Sequence, residues 1–375
     1  MASRTITIPR LLHVGPDCLS DLAPLLSEHF DISRVCVGSG PGPSREFAST
    51  VEHGLTRAGA RVVGESGLIG RLDQAAELAA RTIAEEVTLL IGIGGGRVID
   101  TVKLAAARTG TDFISVPTTI SHDGISSPVA SLTYEGRLRS SYAAAMPAGI
   151  IVDVSVIALA PPRTLRAGAG DLLSNLLAIQ DWQLADRRGE DDFDAFSAMI
   201  AETAARPLLN ITDLHTPASH ELLAKGLLLS GLAMAAAGTS RPCSGAEHLV
   251  SHSLDEALGK RAALHGEQVA LGCLLSAAAH ESPLLGELKT LYGRLGLPSH
   301  PADLGISMGE LTKAVLRAPS TRPERYTVLT ELLDGDGRQL AEVLGEAFGQ
   351  RFTAPGSPLR RSPAASISST SPGAR

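Results

Sequence analysis

The chain has 375 residues, 44% of them hydrophobic, 19% charged and only 3% aromatic, with a formal net charge of -7. That length exceeds what a single hydrophobic core usually supports, so two domains are expected, and the composition is that of a folded protein whose core rests on Ala, Leu, Val and Ile. The negative balance, with no long basic run in the folded region, argues against a protein that wraps nucleic acid by counterion release, whereas a small anionic substrate would need only a local basic pocket.

From about Arg34 the chain reads as short apolar runs ending in glycine or polar turns: Val35–Gly38, Arg61–Gly64, Thr88–Ile93, Phe113–Val116 and Ile150–Val152. Between them lie helix-compatible segments, Ser44–Ala58, Leu72–Glu86 and Val98–Thr109. That alternation predicts a parallel sheet with crossover helices. After Pro161 and Pro162 the apolar residues recur at helical spacing, so the rest is expected to be helical, with the boundary near Ile157–Arg163. The expected units are 1–160 (α/β), 161–352 (all-helical) and a disordered tail, 353–375, rich in Ser, Pro, Ala and Arg.

Met1–Arg10 has no apolar stretch of signal-peptide length, and Gly226–Gly238 is too short to cross a bilayer, so it reads as a buried helix. Cys18, Cys36, Cys243 and Cys273 are widely spaced and form no C-x-x-C pair. No disulfide framework or cysteine zinc knuckle is expected, and a reducing cytoplasm fits.

Thr88–Asp100 runs from an apolar strand into Gly94-Gly95-Gly96 and then a helix. Glycines remove β-carbons and let amides at a helix start approach a pyrophosphate, although tight strand-to-helix turns use glycine for geometry alone. Gly38–Gly42, after the first clear strand, reads as a plain turn. Val116–Gly124 follows the next strand and concentrates Thr118, Thr119, Ser121, His122 and Asp123. Ligands of open α/β sheets collect beyond the carboxyl ends of strands, but these residue types are also common in turns.

His248 and His252 stand four residues apart in Glu247–His252, so a helix projects both from one face. His265 follows, and Gly168-Ala169-Gly170-Asp171 puts a carboxylate at an expected helix start. One Asp with two His would offer a divalent metal three ligands and an open position, while each alone reads equally as a cap, a surface group or packing.

With these motifs in hand, the sequence resembles the glycerol-1-phosphate dehydrogenase family of the iron-containing alcohol dehydrogenase and dehydroquinate synthase superfamily. The resemblance lies in Gly94–Asp100, the run Pro117–Pro128, Gly170–Asn175, Ser244–His248 and His265–Gln268, spread through most of the chain in the expected order. It implies an N-terminal Rossmann-like α/β domain with a parallel sheet and an all-α C-terminal domain, the dehydroquinate synthase-like fold. It also implies Asp171, His248 and His265 as ligands of one divalent metal, zinc first with nickel or iron as alternatives. Asp123 and His252 would be catalytic and, with Asp171, substrate-binding. NAD(P)(H) would lie on Gly94, Gly95, Gly96, Arg97, Val98, Ile99, Asp100, Thr118, Thr119, Ser121 and Ser127.

The implied reaction is reduction of dihydroxyacetone phosphate to sn-glycerol 1-phosphate in a homo-oligomer without nucleic-acid partner or membrane insertion. The sequence departs from many relatives in Arg97, where Lys is common, and Ala246, where Ser is frequent, and neither is a ligand position. Arg241 is the candidate for the substrate phosphate, Glu65 for the adenosine ribose, and His252 for a proton relay whose intrinsic pKa lies near neutrality. A dehydrogenase of another sugar phosphate, a dehydroquinate-synthase-like cyclase and a catalytically silent homologue are the alternatives.

Overall fold

The computed structural model describes residues 6, 8–134, 139–334 and 337–349; the tail expected at 353–375 lies outside them. The first part runs β1 (Leu11–Gly15), α1 (Leu22–Ser27), β2 (Arg34–Ser39), α2 (Ser44–Arg57), β3 (Arg61–Glu65), α3 (Leu72–Ala84), β4 (Leu89–Gly94), α4 (Gly96–Thr109), β5 (Asp112–Pro117), β6 (Val129–Thr133), β7 (Arg139–Ala143) and β8 (Gly149–Asp153). Six of these strands form one sheet in the order β1-β8-β5-β4-β2-β3, with every neighbouring pair parallel. The strand alternation divides the core: Val35, Val37, Leu89 and Ile91 face one layer, and Cys36, Leu90, Val102 and Phe113 face the other.

Each of the five predicted strands and three predicted helices coincides with an observed element, with Thr88, Ala58, and Glu85 and Glu86 falling just outside β4, α2 and α3. Three strands went unpredicted, for physical reasons. β1 is an edge strand with Leu12 55% exposed, so its pattern is thin. β6 and β7 make a separate antiparallel hairpin whose sequences, VASLT and RSSYA, carry few apolar residues. Its buried residues, Ala130 and Leu132, pack with Leu104 of α4.

The remainder is helical: α5 (Val154–Ala158), α6 (Pro162–Arg188), α7 (Ala195–Ala205), α8 (Pro217–Ala237), α9 (Ala246–Leu258), α10 (His265–Ala279), α11 (Leu284–Leu295), α12 (Met308–Arg317), α13 (Val328–Asp334) and α14 (Gly337–Phe348). The apolar stretch Gly226–Gly238 lies in and just after α8, and among the described residues no helix is long and apolar enough to cross a membrane. Ile150 and Val152 of β8 share a core with Leu165, Leu172 and Leu176 of α6, so the sheet and the helices are joined by apolar packing.

α6 corrects one expectation. Asp171 is not at a helix start but deep inside a 27-residue helix that begins with Pro162 in its first turn and ends at Gly189, φ 72°. The glycines that read as a helix boundary serve close approach instead. A β-carbon on Gly168 would overlap the Ile120 carbonyl, and one on Gly170 would overlap the carbonyl of Gly266. The helix tolerates their weak propensity because the contacts they permit bury α6 on several sides.

Candidate active site

Asp171, His248 and His265 come from three helices, α6, α9 and α10, yet each offers a ligand atom within 4.8 Å of the others. Asp171 Oδ1 stands 3.7 Å from His248 Nε2 and 3.6 Å from His265 Nε2. Those separations are too long for good hydrogen bonds, and Oδ1 is buried without a hydrogen-bond partner among the described residues. Ligand atoms on a tetrahedral ion with bonds of ~2.1 Å stand ~3.4 Å apart, so the donor set fits a zinc-sized cation.

The other atoms of the three side chains are held from behind. Asp171 Oδ2 accepts from the Asp123 amide at 2.9 Å. His248 Nδ1 lies 3.0 Å from Glu247 Oε1, which also accepts from the Gly245 amide at 2.5 Å, and His265 Nδ1 lies 2.9 Å from Ser251 Oγ. Gln268 Nε2 bonds Ser251 Oγ at 3.2 Å and Asp255 at 2.9 Å. Each ring thus turns Nε2 toward Asp171, an arrangement familiar behind metal-bound histidines.

Electrostatics agree with a site built for a cation. Burial opposes a charge on His248, but the carboxylates of Asp171 and Glu247 outweigh it and push its pKa up to about 9. Burial, reinforced by Asp171, raises Asp123 to about 7. His252, one turn after His248, is held neutral: burial first, then His248, Arg322 and Arg325, depress it to about 3. Its ring stacks 5.9 Å from that of His265. The near-neutral pKa expected for His252 therefore gives way to a desolvated imidazole among positive charges.

Asp123, His248, His252 and His265 line one cavity of about 1370 Å³, whose wall continues through His122, Gly124 and Ser127. The glycine turn lies at the carboxyl edge of the sheet. The chain order reverses between β2, which continues to β3 on one side, and β4 on the other, so a crevice opens at the ends of β2 and β4. The loop after β2, read as a plain turn, borders that crevice: the Gly40 amide donates to Ser44 Oγ at 3.1 Å, and a β-carbon on Gly40 would sit 3.3 Å from Val98.

The expected cofactor residues divide into two groups. Gly95 faces Thr119 Oγ1, the Thr118 amide donates to Gly94 O at 3.0 Å, Arg97 is exposed, and Ser121 is half-buried. Ser127 Oγ reaches Val129 O at 3.5 Å. By contrast, the side chains of Val98, Ile99 and Asp100 are buried, and Asp100 accepts from Lys103 at 3.2 Å and the Ser131 amide at 3.1 Å. These three build the first turns of α4 and do not present their side chains at its surface.

One other assignment changes. Arg241 does not face the cavity, because its buried guanidinium pairs with Asp191 at 2.7 Å and donates to Tyr326 O at 2.7 Å. Glu65 pairs with Arg81 at 2.5 Å beside a small recess. Three neighbours of the site, Lys103, Arg322 and Arg325, escape sequence reasoning, and a fourth, His122, is legible there only as one polar residue of the loop after β5. His122 packs on Gly96 and its ring stands 6.3 Å from that of His265, tying the glycine turn to the histidine cluster. Lys103 crosses from α4 to donate to Gly124 O at 2.6 Å and Val129 O at 2.8 Å. Arg322 lines the cavity and Arg325 lies behind it. Lys103, Arg322 and Arg325 belong to no fixed-spacing pattern.

The family profile for iron-containing alcohol dehydrogenase matches residues 13–161. Glycerol-1-phosphate dehydrogenase (NAD(P)+) of Cenarchaeum symbiosum is 34% identical over 355 residues, covering 93% of this chain and 98% of the relative. The protein of the same name from Picrophilus torridus is 36% identical over 336 residues, 88% of this chain and 93% of the relative. Among solved structures, glycerol dehydrogenase from Schizosaccharomyces pombe shares the fold with a TM-score of 0.75 at 21% identity, covering 95% of this chain and 96% of that one. The sheet order, the helical half and the extent of these matches lead to one assignment: the chain belongs to the glycerol-1-phosphate dehydrogenase family, within the iron-containing alcohol dehydrogenases.

Proposed function

We propose that this oxidoreductase uses NAD(P)(H) and one divalent metal to interconvert dihydroxyacetone phosphate and sn-glycerol 1-phosphate. The observation that carries this reading is the buried Asp171 Oδ1, without a hydrogen-bond partner among the described residues, beside the Nε2 atoms of two histidines that line the same cavity as Asp123 and His252. A divalent ion held by Asp171, His248 and His265, zinc first with nickel or iron as alternatives, supplies a Lewis acid for the substrate's carbonyl oxygen.

The chain's own groups do the remaining work. Glu247 and Ser251 keep the two imidazoles in the tautomer that presents Nε2. Asp123, its carboxyl raised toward neutrality, accepts a hydrogen bond from a substrate hydroxyl and orients it. His252, neutral at physiological pH, keeps one N–H donor and one acceptor nitrogen, so it relays a proton taken up from water at one nitrogen to a substrate hydroxyl or a water from the other. The start of α4 and the loops after β2 and β5, with Ser127, would hold the dinucleotide, which supplies or accepts the hydride when bound. A reducing cytoplasm, in keeping with four free cysteines, and homo-oligomeric assembly complete the reading.

The test is to follow reduced-nicotinamide absorbance when metal-replete protein receives dihydroxyacetone phosphate. Oxidation with accumulation of glycerol 1-phosphate is expected. A protein that binds metal and dinucleotide but leaves the nicotinamide reduced would exclude this substrate and direct the search to other phosphorylated ketoses.

A further inference from the structure

Two arginines follow α12 and the short 3-10 turn Ala318–Thr321, and both point back toward the histidine cluster. Arg322 lines the cavity, and its Nη1 donates to Ser240 Oγ at 3.3 Å. Arg325 is 9% exposed, donating from Nη2 to the same Ser240 Oγ at 3.0 Å and from Nη1 to the Ser244 carbonyl at 2.5 Å. Among the described residues, neither guanidinium has a carboxylate within ion-pair distance; Glu247 and Glu324 act on Arg325 only from further away. Burial and mutual repulsion lower the pKa of Arg325 to about 10, and burial lowers that of Arg322.

One buried and one half-buried guanidinium, neither with a carboxylate within ion-pair distance among the described residues, are costly in a chain whose net charge is -7, where surface acids are plentiful. Such an arrangement is repaid by an anion that arrives with its own negative charge. Ser240 Oγ has both lone pairs engaged by the two arginines, so its hydroxyl hydrogen is left to donate outward, and Ser240 is itself a wall of the cavity.

We infer that Arg322, Arg325 and Ser240 form the subsite for a phosphate monoester dianion, placing the phosphate on the His252 side of the cavity. Arg322 meets the phosphate directly, Arg325 adds charge from behind and fixes Ser240, and Ser240 donates a third hydrogen bond. A phosphate monoester carries roughly -1.5 to -2 charges near pH 7, which matches the two guanidiniums. Neutral polyols and ketones gain nothing from this corner, so it selects phosphorylated substrates over their unphosphorylated counterparts. The inference deepens the proposed reading and rests on it for the ketone end of the substrate, but the anion site itself is separable.

The experiment compares the native metal-replete enzyme with its Arg322→Gln and Arg322→Lys variants. Inorganic phosphate binding is measured by calorimetry, and kcat/KM is measured for dihydroxyacetone phosphate and for dihydroxyacetone. Truncating a half-buried charged partner of an anion costs ~10- to 100-fold in affinity, so Arg322→Gln should lose phosphate binding by about that range. It should lose a similar factor of kcat/KM for the phosphorylated ketone and much less for the unphosphorylated ketone, so that the ratio of the two falls, and Arg322→Lys should recover part of both losses. Native-like phosphate binding and unchanged discrimination in Arg322→Gln would overturn the subsite, as would a native protein with no affinity for phosphate. A native protein that binds phosphate through Arg322 but does not reduce dihydroxyacetone phosphate would uphold the subsite and overturn the proposed substrate.

Discussion

Gly266 presses on Ala167 so closely that a β-carbon on the glycine would overlap the Ala167 carbonyl. This contact, with Gly170 against the Gly266 carbonyl, lets α10 meet α6 backbone to backbone and sets His265 beside Asp171. Gly266→Ala must separate the helices at the ligands themselves. A loss of about 3 kcal/mol is expected, at the upper end of overpacking costs, together with loss of metal retention. Thermal melting and metal content of the purified variant check both; a native-like melting temperature with full metal content would show that the helices can part without cost.

Glu247 is fully buried, and its Oε1 serves both His248 Nδ1 and the Gly245 amide. Glu247→Gln keeps the size and removes the charge behind the imidazole. Metal affinity should fall ~10- to 100-fold, as for other partners of metal-bound histidines, with little change in dinucleotide affinity. Competition with a chromophoric chelator measures the first and fluorescence titration with NADH or NADPH the second.

Lys103 and Asp100 form a buried pair at 3.2 Å, and Lys103 also holds two carbonyls near the substrate loop. Lys103→Met leaves Asp100 enclosed with only the Ser131 amide, so stability should fall by about 3–5 kcal/mol. The double variant Lys103→Met with Asp100→Asn should recover part of that loss, because the uncompensated charge is gone. Urea-unfolding midpoints of the two variants decide it. Equal losses in both would mean that Lys103 acts through the Gly124 and Val129 carbonyls alone.

Metal binding should stabilise the fold as well as enable turnover. Asp171 Oδ1 has no hydrogen-bond partner among the described residues, so an ion there relieves a buried carboxylate. At a free-metal concentration near one thousand times the dissociation constant, the gain is roughly 4 kcal/mol, which lifts the melting temperature by several degrees. Calorimetric melting before and after chelation, and after zinc is returned, tests this; identical melting curves would argue against an ion at Asp171.

The parts of the molecule that follow local periodicity were readable in the sequence. Val35–Gly38 and Thr88–Ile93 are continuous apolar runs because both faces of the sheet are covered, and His248 and His252 share a face through ordinary helical spacing in α9. Asp171 misread as a helix start because Gly168 and Gly170 signal a break locally, while their purpose, contact with Ile120 and Gly266, is visible only once distant segments are packed. Arg241 was a reasonable phosphate candidate from its place before α9, yet Asp191, fifty positions away in sequence, already neutralises it. Arg322 and Arg325 had no such advertisement, since an anion site made of isolated arginines has no characteristic spacing.

The most direct measurement is zinc binding by equilibrium dialysis on native protein and Asp171→Asn, with reduction of dihydroxyacetone phosphate assayed on the same samples. Native protein should bind one ion per chain at the Asp171, His248 and His265 cluster, Asp171→Asn should bind it far more weakly, and activity should follow occupancy in both. Full activity in metal-free protein, or native zinc binding by Asp171→Asn, would contradict a catalytic metal at this site.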